Sequence, residues 1–257
     1  MSEDRQTLDY QVQIRRLNEI IDSWGAAVHS FRLDDPGSFS EEIKLSARGA
    51  GAPSVVVGDA VGAELGRPGC DSHAVVLTTT NLELVSDGLV RCVGPDFDEV
   101  GPQDHLPLAQ IVVLAHEPEQ VFDPFELDST QYLANRLQGY MARTVPGRLW
   151  VRASREIIEN GFRLRTLGFA LLAAYLMDFS QALKAEVILV TGPPEKVKEL
   201  GPIAAEARVL SGQHRKLTLI ENGTYECEDL NCEDCDERDT CDSLRDVYVR
   251  YRKRGRG

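Results

Sequence analysis

A chain of 257 residues with 42% apolar side chains can fold around one large core or two modest ones, which excludes wholesale disorder. Its 28 basic and 41 acidic side chains leave a net charge of −13, the opposite of the clustered positive face that a general nucleic-acid binder needs. No window approaches the length of a membrane-spanning run, and the acidic start Met1-Ser2-Glu3-Asp4-Arg5 has no apolar stretch, so the expectation is a soluble cytoplasmic protein without membrane contact.

Taken in chain order, residues 8–24 place Leu8, Val12, Leu17, Ile20, Ile21 and Trp24 at mostly three- and four-residue intervals, the pattern of an amphipathic helix. Turn formers dominate from Asp34 to Pro53. Short β-rich runs follow at Val55–Val57, Ala74–Thr79, Leu82–Val85 and Leu89–Val93, with Ser86-Asp87-Gly88 read as a tight hairpin turn. Gln110–Ala115 is a continuous apolar strand, and Asp123-Pro124-Phe125-Glu126 has the cap, proline and early acid that open a helix. Leu149–Val151 reads as a strand, and Ser154 caps a helix that Gly161 stops. Thr166–Leu183 is a largely buried helix and Glu186–Val190 another strand. Pro193-Pro194-Glu195 opens a helix that is expected to break at Gly201-Pro202. An Asn222-Gly223 hairpin between Leu217–Ile220 and Tyr225 leads into the cysteines. The expected fold class is α/β (α+β): a β-rich, mainly antiparallel N-terminal part, a mixed α/β layer from about residue 110, and a small C-terminal cysteine-bearing module. The boundaries are drawn at 1–53 for the N-terminal helix and irregular connection, 54–215 for the main domain and 216–257 for the hairpin and cysteine module.

Two constellations can carry chemistry. Cys227, Cys232, Cys235 and Cys241 fall within fifteen residues with the spacing C-x4-C-x2-C-x5-C, which in a cytoplasmic chain points to metal or cluster ligation before disulfides. Zinc sites usually use two paired knuckles or Cys/His pairs. One CxxC with irregular outer cysteines also suits an iron–sulfur cube, so [4Fe-4S] is expected with zinc as the alternative. Nine acids between Glu226 and Asp242 would disfavour adding an electron to such a cluster, and a basic tail follows from Arg250 to Arg256. Cys70 and Cys92 stand apart and read as structural thiols. The second constellation is arginine without lysine: Arg143, Arg148, Arg152, Arg155, Arg163 and Arg165. A planar guanidinium grips phosphate with two parallel hydrogen bonds, so Arg143, Arg148, Arg163 and Arg165 are the expected holders of a polyphosphate such as the nucleotide end of coenzyme A, against the plainer reading of surface ion pairs. The histidines stand apart, and Walker, dinucleotide and nucleophile-elbow motifs are absent.

The run Ser86 to Val100 with its Gly94-Pro95-Asp96-Phe97-Asp98-Glu99, then Leu106-Pro107-Leu108, Leu149 to Ser154, and Gly161-Phe162-Arg163-Leu164-Arg165 resembles the middle domain of the acetyl-CoA synthase (acetyl-CoA decarbonylase/synthase β) subunit of the CO dehydrogenase/acetyl-CoA synthase complex. The resemblance covers about Gly58 to Arg208. It implies a middle domain that binds coenzyme A through arginines and docks partners, in a family that joins a methyl group from a corrinoid iron–sulfur protein, carbon monoxide and coenzyme A into acetyl-CoA. The family's metal domain uses cluster cysteines and a Cys-Gly-Cys that holds nickel. Here Cys-Gly-Cys is absent and the cysteine spacing differs. The family's aromatic residue after Gly139-Tyr140 appears as Met141, which weakens a stacking contact to adenine.

The resulting expectation is an acetyl-CoA-synthase-like iron–sulfur protein of one-carbon metabolism that binds coenzyme A and a corrinoid or CO dehydrogenase partner but lacks the nickel site. As an enzyme it would be a CO-methylating acetyl-CoA-synthase-like acyltransferase acting with another subunit; no catalytic residue is assigned. The rivals are a non-catalytic interaction or electron-transfer module with a structural cluster, and a zinc-stabilised acyl-CoA binding protein.

Overall fold

The computed structural model describes residues 9–33, 55–120, 137–145, 148–178, 182–210, 218–219 and 225–226. The chain divides into two compact units, Met1–Ser211 and Gly212–Gly257. The first unit contains, in order, α1 (Gln11–Ser23), β1 (Val28–Arg32), β2 (Val61–Leu65), β3 (Ser72–Thr79), β4 (Leu89–Val93), β5 (Leu108–Ala115), β6 (Tyr140–Val145), β7 (Arg148–Ser154), α2 (Arg155–Glu159), α3 (Leu164–Asp178), β8 (Lys184–Val190) and α4 (Pro194–Leu210). The second contributes a two-stranded hairpin, β9 (Thr218–Leu219) and β10 (Tyr225–Glu226), paired as Leu219 with Tyr225. The expected helix at Asp123 lies outside the described residues.

Five strands form a mixed sheet in the order β1-β4-β8-β5-β3, and β2-β7-β6 form a separate antiparallel sheet. Mixed sheets with covering helices make this an α/β fold. The antiparallel expectation for the stretch before residue 110 is corrected: β3 pairs with β5 and β4 with β8 in parallel, while β1–β4 and β5–β8 run antiparallel. Strands buried on both faces carry little alternation, so their sequences do not reveal which neighbour they take.

One face of the large sheet packs Leu77, Ile111, Val113, Ile188 and Val190 against α1 and α4; the other packs Val90, Val112, Leu114 and Val187 against α3 and the inner face of the small sheet. The stripe of α1 that docks is Tyr10, Ile14, Leu17 and Ile21, whereas Val12 is 70% exposed. Gly168 of α3 lies where an added Cβ would collide with the Val90 side chain, so the helix sits directly on β4.

Four local expectations change. Val55–Val57 is not a strand; the strand begins at Val61. Leu82–Leu84 is a 3-10 turn capped by Asn81, whose side chain accepts from the Glu83 N–H, and Ser86-Asp87-Gly88 is no hairpin because β4 pairs with β1 and β8. The Gly88 N–H instead donates to the Ala185 carbonyl at 2.9 Å and sets that parallel register. Helix α4 runs unbroken through Gly201-Pro202. Its buried Val197, Leu200, Ile203, Ala204 and Ala207 hold it to the sheet, and the His73 ring hydrogen-bonds the Val197 carbonyl in the turn that the proline weakens.

Candidate functional site

Strand β7 alternates as its pattern demands: Leu149, Val151 and Ala153 are buried against the core, and Arg148, Trp150 and Arg152 face outward. The register places Arg143 of β6 directly opposite Trp150, and Met141 and Glu64 on either side of Arg152. The Arg152 guanidinium lies 4.5 Å from the Trp150 ring centre. Glu64 binds both: its Oε1 accepts from Trp150 Nε1 at 2.6 Å and from Arg152 Nε and Nη2 at 3.3 and 3.2 Å, while Arg152 Nη1 donates to the Val56 carbonyl at 3.3 Å. Met141, Val56 and Val61 pack beneath Trp150. The indole and its guanidinium neighbour are thus fixed from three directions.

Arg143 and Arg148 are both exposed on this face, and each makes one side-chain bond to a backbone carbonyl among the described residues. Arg143 Nη1 donates to Ala142 O at 3.3 Å and Arg148 Nη2 to Cys70 O at 3.3 Å, and neither makes an ion pair among the described residues. A sheet face that offers a fixed aromatic ring, a stacked guanidinium and two unpaired guanidinium groups can hold a flat base beside an anionic group.

Arg163 and Arg165 are elsewhere. Arg163 precedes α3, pairs with Asp98 at 2.7 Å, and donates through Nη1 to Ile158 O and Phe162 O at 3.0 and 2.9 Å. Arg165 is exposed in the first turn of α3. Two of the family-like motifs meet here. Asp96 Oδ1 accepts from the Phe97 and Leu164 N–H groups at 2.7 Å each, Phe97 stacks on Phe162 at 5.2 Å, and Phe162 touches Tyr140 at 5.8 Å. Burial lifts the Asp96 carboxyl above its ordinary value, although both N–H bonds oppose the rise. Gly-Pro-Asp-x-Asp and Gly-Phe-Arg therefore form a clasp between the β4 loop and the start of α3.

Cys92 is buried and its thiol is pushed up to about 12, chiefly by desolvation, which makes it an inert apolar side chain. Cys70 is half-buried, its Sγ 3.0 Å from the His105 carbonyl. Cys227, Cys232, Cys235 and Cys241 lie outside the described residues; the hairpin strand β10 ends at Glu226, one residue before the first of them. Among the described residues no three His, Cys, Asp or Glu side chains are grouped to hold a metal, and no helix is long and apolar enough to cross a membrane.

Sequence reasoning did not assign Trp150 a role, although it stands in one of the quoted motifs. Its partners arrive across the strands, from Glu64 and Arg143, and the one usable signal was the alternation Arg148-x-Trp150-x-Arg152.

The sequence profile of the CO dehydrogenase/acetyl-CoA synthase complex beta subunit matches residues 56–197, more than half of the chain. The chain is similar to the acetyl-CoA decarbonylase/synthase complex subunit beta of Methanopyrus kandleri, 31% identical over 112 residues, which are 43% of this chain and 24% of the relative. It is 25% identical over 180 residues to the same subunit of Archaeoglobus fulgidus, covering 69% of this chain and 32% of the relative. It is also 22% identical over 211 residues to the carbon monoxide dehydrogenase/acetyl-CoA synthase subunit alpha of Moorella thermoacetica, covering 80% of this chain and 28% of the relative. The chain thus spans between about a quarter and a third of the length of these relatives. The profile match over the described sheets and their connecting helices makes this chain a member of the CO dehydrogenase/acetyl-CoA synthase complex beta subunit family.

Proposed function

We propose that the chain is a coenzyme A-binding module of a cytoplasmic CO dehydrogenase/acetyl-CoA synthase-type assembly, acting in one-carbon metabolism together with another subunit. The observation that carries this reading is the outer face of the small sheet, where Trp150 and Arg152 stack within reach of Arg143 and Arg148. Adenine lies against the Trp150–Arg152 pair, and the phosphates meet Arg143 and Arg148. Trp150 supplies the aromatic surface that Met141 does not. Arg163 and Arg165 stay outside the direct contact set, since Arg163 already answers Asp98. A carbon monoxide dehydrogenase-type subunit is the partner proposed, since the relatives are subunits of acetyl-CoA decarbonylase/synthase and carbon monoxide dehydrogenase/acetyl-CoA synthase assemblies; a corrinoid iron–sulfur protein is the alternative partner.

Calorimetric titration of coenzyme A into wild type and the Arg143→Ala/Arg148→Ala double variant tests the reading. Each well-formed charge-assisted bond contributes roughly 1.5–3 kcal/mol, so the loss of two weakens binding by about two to four powers of ten. Absence of binding by wild type, or equal affinity in both proteins, overturns it. Titrating Arg163→Ala/Arg165→Ala alongside separates the two arginine groups: little change is expected there.

Cys227, Cys232, Cys235 and Cys241 are proposed to hold one [4Fe-4S] cluster and no nickel. Four thiolates complete a cube and leave no ligand over, and Cys-Gly-Cys is absent from the sequence. Anaerobically purified protein should contain near four iron and four sulfide per chain. Stoichiometric zinc in colourless protein, or one nickel per chain, would sink this assignment.

A further inference from the structure

A recess of about 390 Å³ opens beside the arginine face, lined by Arg67, Cys70, Asp71, His105 and three prolines. Arg148 joins the two places: its backbone stands on β7 two residues from Trp150 on the same outward face, and its Nη2 donates to the carbonyl of Cys70 in the wall of the recess. Two strand residues span about 7 Å.

The recess is positive in a chain whose net charge is −13. Arg67 has no side-chain partner among the described residues, Arg148 stands at the rim, and the single lining carboxylate, Asp71, is met by Lys198 at 3.8 Å. The adjoining His73 responds to the same surroundings: burial first, then the charge of Arg208, with Arg148 adding to it and Asp71 opposing, hold its pKa below the ordinary value. Prolines 68, 107 and 194 wall the space, which suits a terminal group of a ligand better than a chain that must continue through it. Two guanidinium groups with an imidazole beside them match the charge and the oxygen count of a phosphate monoester.

We infer that this recess binds a phosphate monoester dianion, held by Arg67 and Arg148, and that on the coenzyme A reading above the group is the 3′-phosphate of the adenosine. The inference rests on that reading for the identity of the ligand and on the recess itself for the chemistry. With adenine on Trp150, the 3′-phosphate is the short terminal branch that drops toward Arg148 and Arg67, while the diphosphate continues toward Arg143 on the neighbouring strand.

Coenzyme A and 3′-dephospho-coenzyme A, titrated calorimetrically into wild type, Arg67→Ala and Asp71→Asn, decide it. Wild type should bind coenzyme A at least tenfold more tightly than the dephospho form, the ratio that one charge-assisted hydrogen bond supports. In Arg67→Ala, where Arg148 alone remains to hold the group, that ratio should fall severalfold with the dephospho affinity unchanged, and in Asp71→Asn it should widen. Equal binding of the two ligands by wild type, or an equal loss of both in Arg67→Ala, overturns the 3′-phosphate assignment while leaving coenzyme A binding in place. Binding of neither ligand by wild type overturns both readings together.

Discussion

The two sheets of this protein are built to different rules. The five-stranded sheet is covered on both faces, and nearly every residue of β3, β5 and β8 is buried; the three-stranded sheet is covered on one face and leaves Arg148, Trp150 and Arg152 to the outside. The first behaves as a packed interior in which an unanswered polar group is costly. The second can hold side chains in fixed places and still leave their binding capacity unspent. Chemistry in this family member is accordingly expected on the smaller sheet, with stability supplied by the larger.

The largest test of that division concerns the ion pair inside the large sheet. Arg91 of β4 and Glu186 of β8 meet at 2.5 Å with side-chain exposures of 10% and 1%, and Arg91 also takes Asn18 Oδ1 at 3.0 Å. Arg91→Ala leaves the carboxylate buried without its cation, which should cost about 3–5 kcal/mol in urea denaturation at neutral pH. Burial raises the Glu186 carboxyl above its ordinary 4.5, with Arg91 pulling it back. A proton held more tightly by the folded than by the unfolded chain stabilises fully below that value, and the contribution is lost as pH rises through the folded pKa. Stability of the variant should therefore fall more steeply with rising pH than that of wild type. A loss under 1 kcal/mol with no change in slope would place the pair among surface contacts.

A smaller effect of opposite sign is expected at Gln110, in the middle of β5. Its residue is 1% exposed, and among the described residues neither amide atom has a hydrogen-bond partner. Gln110→Leu should raise stability by about 1–3 kcal/mol, because it removes an unanswered polar group at similar volume. Loss of stability would mean that the amide is satisfied by an internal water.

The smallest effect on stability belongs to the open sheet. Arg143→Ala should shift the unfolding midpoint by less than about 0.5 kcal/mol equivalent while weakening coenzyme A at least tenfold. A marked loss of stability would show that the outward face carries the fold, and the contrast between the sheets would fail.

The same contrast explains what could be read from residues alone. Continuous apolar runs such as Gln110–Ala115 and Glu186–Val190 announced strands, and the largely apolar Thr166–Leu183 announced a buried helix, which the structure places at Leu164–Asp178. Their order in the sheet was not legible, because a strand buried on both faces looks the same beside any neighbour. Leu82–Val85 misled for a related reason: three apolar residues in four resemble a strand, but the Asn81 side chain turns the backbone back on itself at Glu83. The arginines were legible as a group and illegible as a site. Which of them shares a face with Trp150 depends on the β6–β7 register, and Arg163 is set apart by Asp98, far off in sequence.

The position of β8 has a consequence for how the chain acquires this structure. The register joins Leu89 to Glu186 and Ala115 to Lys184, so the strand that completes the middle of the large sheet is the last of its five to be made. During synthesis β3 can zip to β5, and β1 to β4, but each pair exposes an unmatched edge until residues 184–190 leave the ribosome and slide between them. The two halves of the sheet cannot be joined before that point, so a product truncated before Lys184 should be captured by chaperones or aggregate rather than fold.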